Sequence, residues 1–135
     1  MLFNDEASEL IFIAENDFKS AQILANHYQP QIEISCYHCQ QCAEKALKAF
    51  ISFHKNSFKF IHNLNELRTD CQIIDQSFIT ITEECEVLNR YFNDTRYSSK
   101  LDLTETHLHQ ALKHAEKILN FVKEKTANPS TEEAK

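Results

Sequence analysis

The chain contains no glycine and only two prolines. Tight hairpins, most βα turns and left-handed helix ends draw on glycine, so a chain without it favours long helices joined by short polar connections. Two ligand classes fall away at the same time. A P-loop and a dinucleotide-binding fingerprint both need glycines where the backbone approaches phosphate. At 135 residues the chain is long enough for one domain with a working core.

The segment Ile34 to Phe53, ISCYHCQQCAEKALKAFISF, organises the rest. Cys36, Cys39, Ala43, Ala46, Phe50 and Phe53 recur at steps of three and four, the apolar seam of a helix packed in a bundle. Gln41, Glu44, Lys45 and Lys48 read as its polar side, with Glu44 and Lys48 at i,i+4. Before it, a helix is expected from about Asp5 to His27, with the stripe Leu10, Ala14, Asp17, Ala21, Leu24 and Tyr28. Asp17 is the exception in that stripe, and either helix rotation exposes it or it meets a cation from another helix. Pro30 ends the helix.

After Phe53 the pattern lapses, and Asn56 is the expected helix terminator. Asn63 caps a short helix with the stripe Leu64, Leu67, Cys71 and Ile74, and His62 stands immediately before that cap. Asp75 is the expected cap of a third long helix carrying Phe78, Ile81, Cys85, Leu88 and Phe92. Asp102, with Glu105 at the capping-box position, is expected to open the last helix, which buries Leu108, Ala111, Ala115, Ile118 and Val122. The expected fold is all-α, an antiparallel four-helix bundle with one additional short helix over residues 1–125, followed by a disordered polar tail over 126–135.

The net charge of −6 argues against indiscriminate nucleic-acid binding and sequence-specific DNA recognition. Between Lys45 and Arg68, however, five cations (Lys45, Lys48, Lys55, Lys59 and Arg68) face the single acid Glu66. This block is either a solvated face or a surface for phosphate. The five cysteines are odd in number, and the start MLFNDEASEL has neither a basic head nor a sustained apolar run, so reduced thiols and a cytoplasmic setting are expected. No stretch has the length of a membrane span.

Cys36, Cys39 and Cys42 spell C-x2-C-x2-C beside His38, a spacing that resembles a metal run. On one continuous helix these thiols climb along the axis rather than converge, and core packing is the expected role. His107, His109 and His114 lack the i,i+4 spacing that sets two imidazoles side by side. No catalytic residues, metal site or cofactor are expected from these patterns.

Four segments in order carry a family resemblance: NDFKSAQIL at Asn16 to Leu24, QQCAEKALKAF at Gln40 to Phe50, IHNLNEL at Ile61 to Leu67 and RYFNDTRYS at Arg90 to Ser98. Over about Ala7 to Lys123 the chain resembles the HEPN family of helical nucleotide-binding domains. The resemblance implies a compact helical bundle, a homodimer, a nucleotide or RNA ligand in a cleft, and a small nucleotidyltransferase partner in a toxin–antitoxin-like or stress-response pair. Carried onto this sequence, it points to Lys45, His62, Arg96 and Tyr97 as the binding cluster, with Asp17 as a charge partner. Arginine offers a planar fork for phosphate, lysine a point charge, and tyrosine a ring for stacking.

Ribonuclease members of the family carry Arg followed by His after four to six intervening residues. Here the corresponding window after Arg96, Leu101 to Leu103, holds no histidine, and Arg68 and Arg90 fail the same test. The chain therefore departs from the pattern of the ribonuclease members, which weighs against cleavage without excluding it. The alternative to a ligand cleft is a helical interaction module, a dimeric adaptor in which the same polar residues only brace the bundle.

Overall fold

The computed structural model describes residues 5–92 and 102–127. They form α1 (Asp5–Ala25), α2 (Ile32–Phe53), α3 (Leu64–Ile74), a 3₁₀ helix (Gln76–Ile81), α4 (Thr82–Asn89) and α5 (Glu105–Lys125). The fold is all-α, with no strand among the described residues. Arg96, Tyr97 and the tail beyond residue 127 lie outside the described residues.

The helix α2 runs through the middle. Cys36, Cys39, Ala43, Ala46 and Phe50 are buried along the expected seam, and Ala14 and Ala21 of α1 pack beside them in one core. Small residues on both helices let the backbones approach closely. The Ser35 hydroxyl donates to the Ala21 carbonyl at 2.7 Å, and the Ser52 hydroxyl donates to Glu6 at 2.6 Å. These two bonds tie opposite ends of α1 and α2, so the pair is antiparallel. The α5 residues Leu108, Ala111, Ala115, Ile118 and Val122 close the core as expected.

Several boundaries differ from the sequence expectation. The first helix stops at Ala25, and Tyr28, placed on its stripe, is 91% exposed beyond the helix end. At the end of α2 it is Lys55 rather than Asn56 that takes the left-handed conformation, with φ 62°. Lys55 N–H bonds the Ser52 carbonyl and Asn56 N–H the Ile51 carbonyl, a glycine-type helix end built without glycine.

The third long helix is broken. Asp75 does cap, accepting from Ser77 N–H at 2.9 Å, but the chain continues as the 3₁₀ helix and then the short α4. The Thr80 and Thr82 hydroxyls donate to the Ser77 and Ile79 carbonyls, and such local bonding by β-branched residues competes with regular helix. The apolar spacing survives the break, since Phe78, Ile81, Cys85 and Leu88 are all buried. The last helix is capped by Thr104 with His107 at the box position, not by Asp102 with Glu105.

All five thiols are free and buried. Burial pushes the Cys36 and Cys85 thiols up to about 12 and the other three well above their ordinary range. They serve as small apolar residues of the core. Among the described residues no helix is long and apolar enough to cross a membrane.

Candidate functional site

The side chain at the centre of the polar cluster is Glu44, and it is not on a solvated face. It is 1% exposed, and Lys48 beside it is 7% exposed. The reason lies in a second buried line of residues on α2, Gln40, Glu44, Leu47 and Ile51, at steps of four, three and four, of which Gln40 and Glu44 meet His62 in the connection before α3. A carboxylate in that position needs partners. Lys48 Nζ donates to Glu44 Oε2 at 2.9 Å, Gln41 Nε2 to Oε1 at 3.2 Å, and Lys45 Nζ stands 4.0 Å away. Burial works to raise the Glu44 carboxyl, but the hydrogen bond and charge of Lys48, then Lys45 and His62, hold it below its ordinary value.

His62 completes the cluster from the far side. Its Nδ1 lies 3.1 Å and 3.0 Å from the two Glu44 oxygens. An ionised carboxylate only accepts, so Nδ1 carries the hydrogen. Gln40 Nε2 donates to the His62 backbone carbonyl at 3.1 Å, which pins the segment to α2 from a second point. The chain then enters α3, where Asn63 accepts from the Asn65 and Glu66 N–H groups. The imidazole side chain is 53% exposed.

The ring is also fixed by stacking. His62 and Phe92 stack at 4.2 Å between centroids and 16° between planes. Phe92 in turn stacks on Tyr37 at 6.2 Å, and Tyr37 meets His38 edge-on at 5.9 Å. Four rings thus run in series along one side of α2. His38 anchors the other end, its Nδ1 3.1 Å from Asp17 Oδ1 on α1. Lys45 sits on the same side, donating to Gln41 Oε1 at 2.9 Å.

Of the residues singled out from sequence, the structure brings Lys45 and His62 together around Glu44. Asp17 does meet a side chain from another helix, but that partner is His38. Sequence reasoning missed Glu44, Gln40 and Lys48 as buried groups, and His38, Tyr37 and Phe92 as ring partners. The Gln40, Glu44, Leu47, Ile51 spacing was the available signal for the first group. The rings come from separate stretches of the chain, and no local spacing encodes their meeting.

A separate concavity of about 450 Å³ lies between α1 and α5, lined by Phe12, Phe18, Lys19, Leu119 and Lys123 among others. The Glu15–Lys123 ion pair at 2.6 Å joins two of its lining residues, and none of the sequence-derived site residues lines it. Among the described residues no group of three His, Cys, Asp or Glu is placed to hold a metal ion. The ring series with its lysines is therefore the stronger candidate.

A model of the HEPN domain family matches residues 7–125. Among solved structures, a protein from Thermus thermophilus superposes with a TM-score of 0.78 at 26% identity, covering 88% of this chain and 97% of that one. An archaeal HEPN homologue superposes with a TM-score of 0.72 at 24% identity, covering 89% and 97%, which is a likeness of fold. A comparison with curated proteins found no match. With the family match running from α1 through α5, the chain belongs to the HEPN domain family.

Proposed function

We propose that the protein binds a nucleotide or an RNA segment along the ring series His38, Tyr37, Phe92 and His62, without cleaving it. The observation that carries this reading is the pairing of part-exposed aromatic rings with cations on one side of α2. Bases stack on such rings with little regard to sequence, at about 1–3 kcal/mol per base, while lysine and arginine meet phosphate. Lys45, part-exposed, supplies charge at the His62 end, and Arg96 and Tyr97 come soon after Phe92 in the chain. The protein acts as a homodimer with a small nucleotidyltransferase partner, in a toxin–antitoxin-like or stress-response pair in the cytoplasm.

The test is binding of a fluorescent oligoribonucleotide and of labelled mononucleotides to the full chain, beside His62→Ala and Arg96→Ala, with denaturing gels run on the same samples. Both variants should bind at least about tenfold more weakly, as loss of roughly 1.4 kcal/mol requires, with the RNA intact throughout. Equal binding by all three proteins would refute the site. Light scattering should give a dimer at micromolar concentration, and a monomer would exclude a cleft shared between copies.

One observation favours a second reading, the interaction module. Phe12 and Ile23 stand on one line of α1, about three turns apart, and each is 63% exposed. If the oligonucleotide fails to bind and Phe12→Asp disperses the dimer, the outer face of α1 rather than the ring series is the working surface.

A further inference from the structure

The Glu44–His62 pair does more than hold a ring in place. In the neutral imidazole the carboxylate accepts the Nδ1 hydrogen through both its oxygens, at 3.1 Å and 3.0 Å, and this tautomer places the lone pair on Nε2. Nε2 has no hydrogen-bond partner among the described residues, and the ring is half open to solvent. Phe92 keeps the imidazole from turning away. These are the requirements of a nitrogen nucleophile: a defined tautomer, a fixed direction, and a buried anion behind the ring to balance the positive charge that develops when Nε2 forms a bond.

The surrounding charge selects the electrophile. Glu44 carries one negative charge and has two lysines on it, Lys48 at 2.9 Å and Lys45 at 4.0 Å, so the ground beneath the ring is net positive. His62 also directly precedes the capped N-terminus of the 11-residue α3, whose dipole adds partial positive charge on the same side. An anionic centre is drawn to such a place and a cationic one is repelled. We propose that His62 Nε2 is a phosphoryl-acceptor site, charged by a donor with a labile phosphorus–nitrogen bond, of which phosphoramidate is the simplest.

In the step, the donor is the zwitterion whose nitrogen already carries three hydrogens. The Nε2 lone pair forms a bond to phosphorus while the phosphorus–nitrogen bond breaks, and ammonia departs with that electron pair and its own three hydrogens. The imidazole keeps its Nδ1 hydrogen, and the Glu44 carboxylate offsets the ring's positive charge. Lys45, part-exposed beside the cluster, adds positive charge that favours approach of the phosphoryl anion. Nothing is oxidised or reduced. The site goes beyond nucleotide binding and does not depend on it, since the donor carries no base.

The experiment treats the full chain with potassium phosphoramidate at neutral pH, quenches in alkali, and maps the label by peptide mass spectrometry over time. The other histidines are internal standards, in particular the exposed His54 and His109. His62 should acquire label about tenfold faster than either, and the label should be lost in mild acid, as expected of a phosphoramidate bond formed by an activated nucleophile. Glu44→Gln should bring His62 to the rate of His109 while His109 itself is unchanged. Because that substitution also disturbs Lys48, the deciding comparison is the ranking of histidines within the unaltered protein. Labelling of His62 no faster than of His54 and His109 would overturn the proposal, whatever the outcome with nucleotides.

Discussion

Removing the Glu44 carboxylate should cost the protein more than any other single polar truncation in α2. Glu44→Ala leaves the Lys48 ammonium, itself 7% exposed, without the oxygen it donates to at 2.9 Å. It also removes the carboxylate acceptor of the His62 Nδ1–H, whereas the Gln41 amide keeps its bond to Gln40 Oε1 at 2.8 Å. Breaking one side of a buried ion pair costs about 3–5 kcal/mol, against a total stability of about 5–15 kcal/mol for a domain. The expected fall in melting temperature is about 10–15 °C. Lys48→Met is the informative contrast. It leaves the carboxylate with His62, Gln41 and Lys45, so its cost should be nearer 1–3 kcal/mol, roughly that of one lost partner to a buried group. Urea unfolding of the two variants, with m-values checked, measures both.

The same pair sets an acid limb with a definite sign. The Glu44 carboxyl is held below its ordinary value of 4.5 in the folded protein, so its contribution is complete above about that pH and is lost as pH falls through the lower, folded value. Glu44→Gln should therefore flatten the stability curve in that acid window and leave its slope near neutrality unchanged. A Glu44→Ala penalty under about 1 kcal/mol, or an unchanged acid limb in Glu44→Gln, would refute the placement of this carboxylate as the anchor of the cluster.

The packing sets three further outcomes. Phe50→Ala should cost about 3–5 kcal/mol in urea unfolding, because Phe50 is buried against Phe78 with centroids 4.4 Å apart; a cost under about 1 kcal/mol would mean the seam is misplaced. Lys55→Gly should raise stability by up to about 1 kcal/mol, since a side chain at φ 62° carries a steric penalty that glycine lacks; a loss would show that the Lys55 side chain matters more than its backbone. All five thiols should resist a thiol reagent in the native protein and react together on denaturation, and fast native labelling of Cys36 would contradict its burial.

The apolar spacing of α1, α2 and α5 was legible because burial acts on every turn of a helix, and a stripe of about six turns averages out local exceptions. Ala14, Ala21, Ala43, Ala46, Ala111 and Ala115 all fall in the core where their spacing placed them. What failed was local. The Thr80 and Thr82 hydroxyls turn the start of the third helix into 3₁₀ geometry, and no apolar stripe records such a competition because 3₁₀ and α bonding bury nearly the same side. Thr104 and His107 displace Asp102 and Glu105 as the cap, two pairs that differ by only two residues and whose choice depends on where α5 meets the core.

The site was half legible for a deeper reason. Charge and motif order point to Lys45 and His62, both of which do meet at one place. They meet, however, through Glu44, whose i,i+4 relation to Lys48 reads equally well as a solvated pair. Only the third dimension distinguishes the two, since α2 is enclosed by α1, α3, α4 and α5 and has little surface left on which to keep a polar face. Burying that ion pair is not an economical way to hold helices together, because apolar residues of similar volume are commonly as stable or more so. The physical return is direction: a buried carboxylate with fixed lysines can aim one imidazole, where a leucine could only fill space. A Glu44→Leu, Lys48→Met double variant separates the two contributions. It should regain most of the stability that Glu44→Ala loses, yet leave His62 without its anchor. If that double variant still binds RNA like the unaltered protein, the cluster braces the bundle and the aim of His62 is incidental to binding.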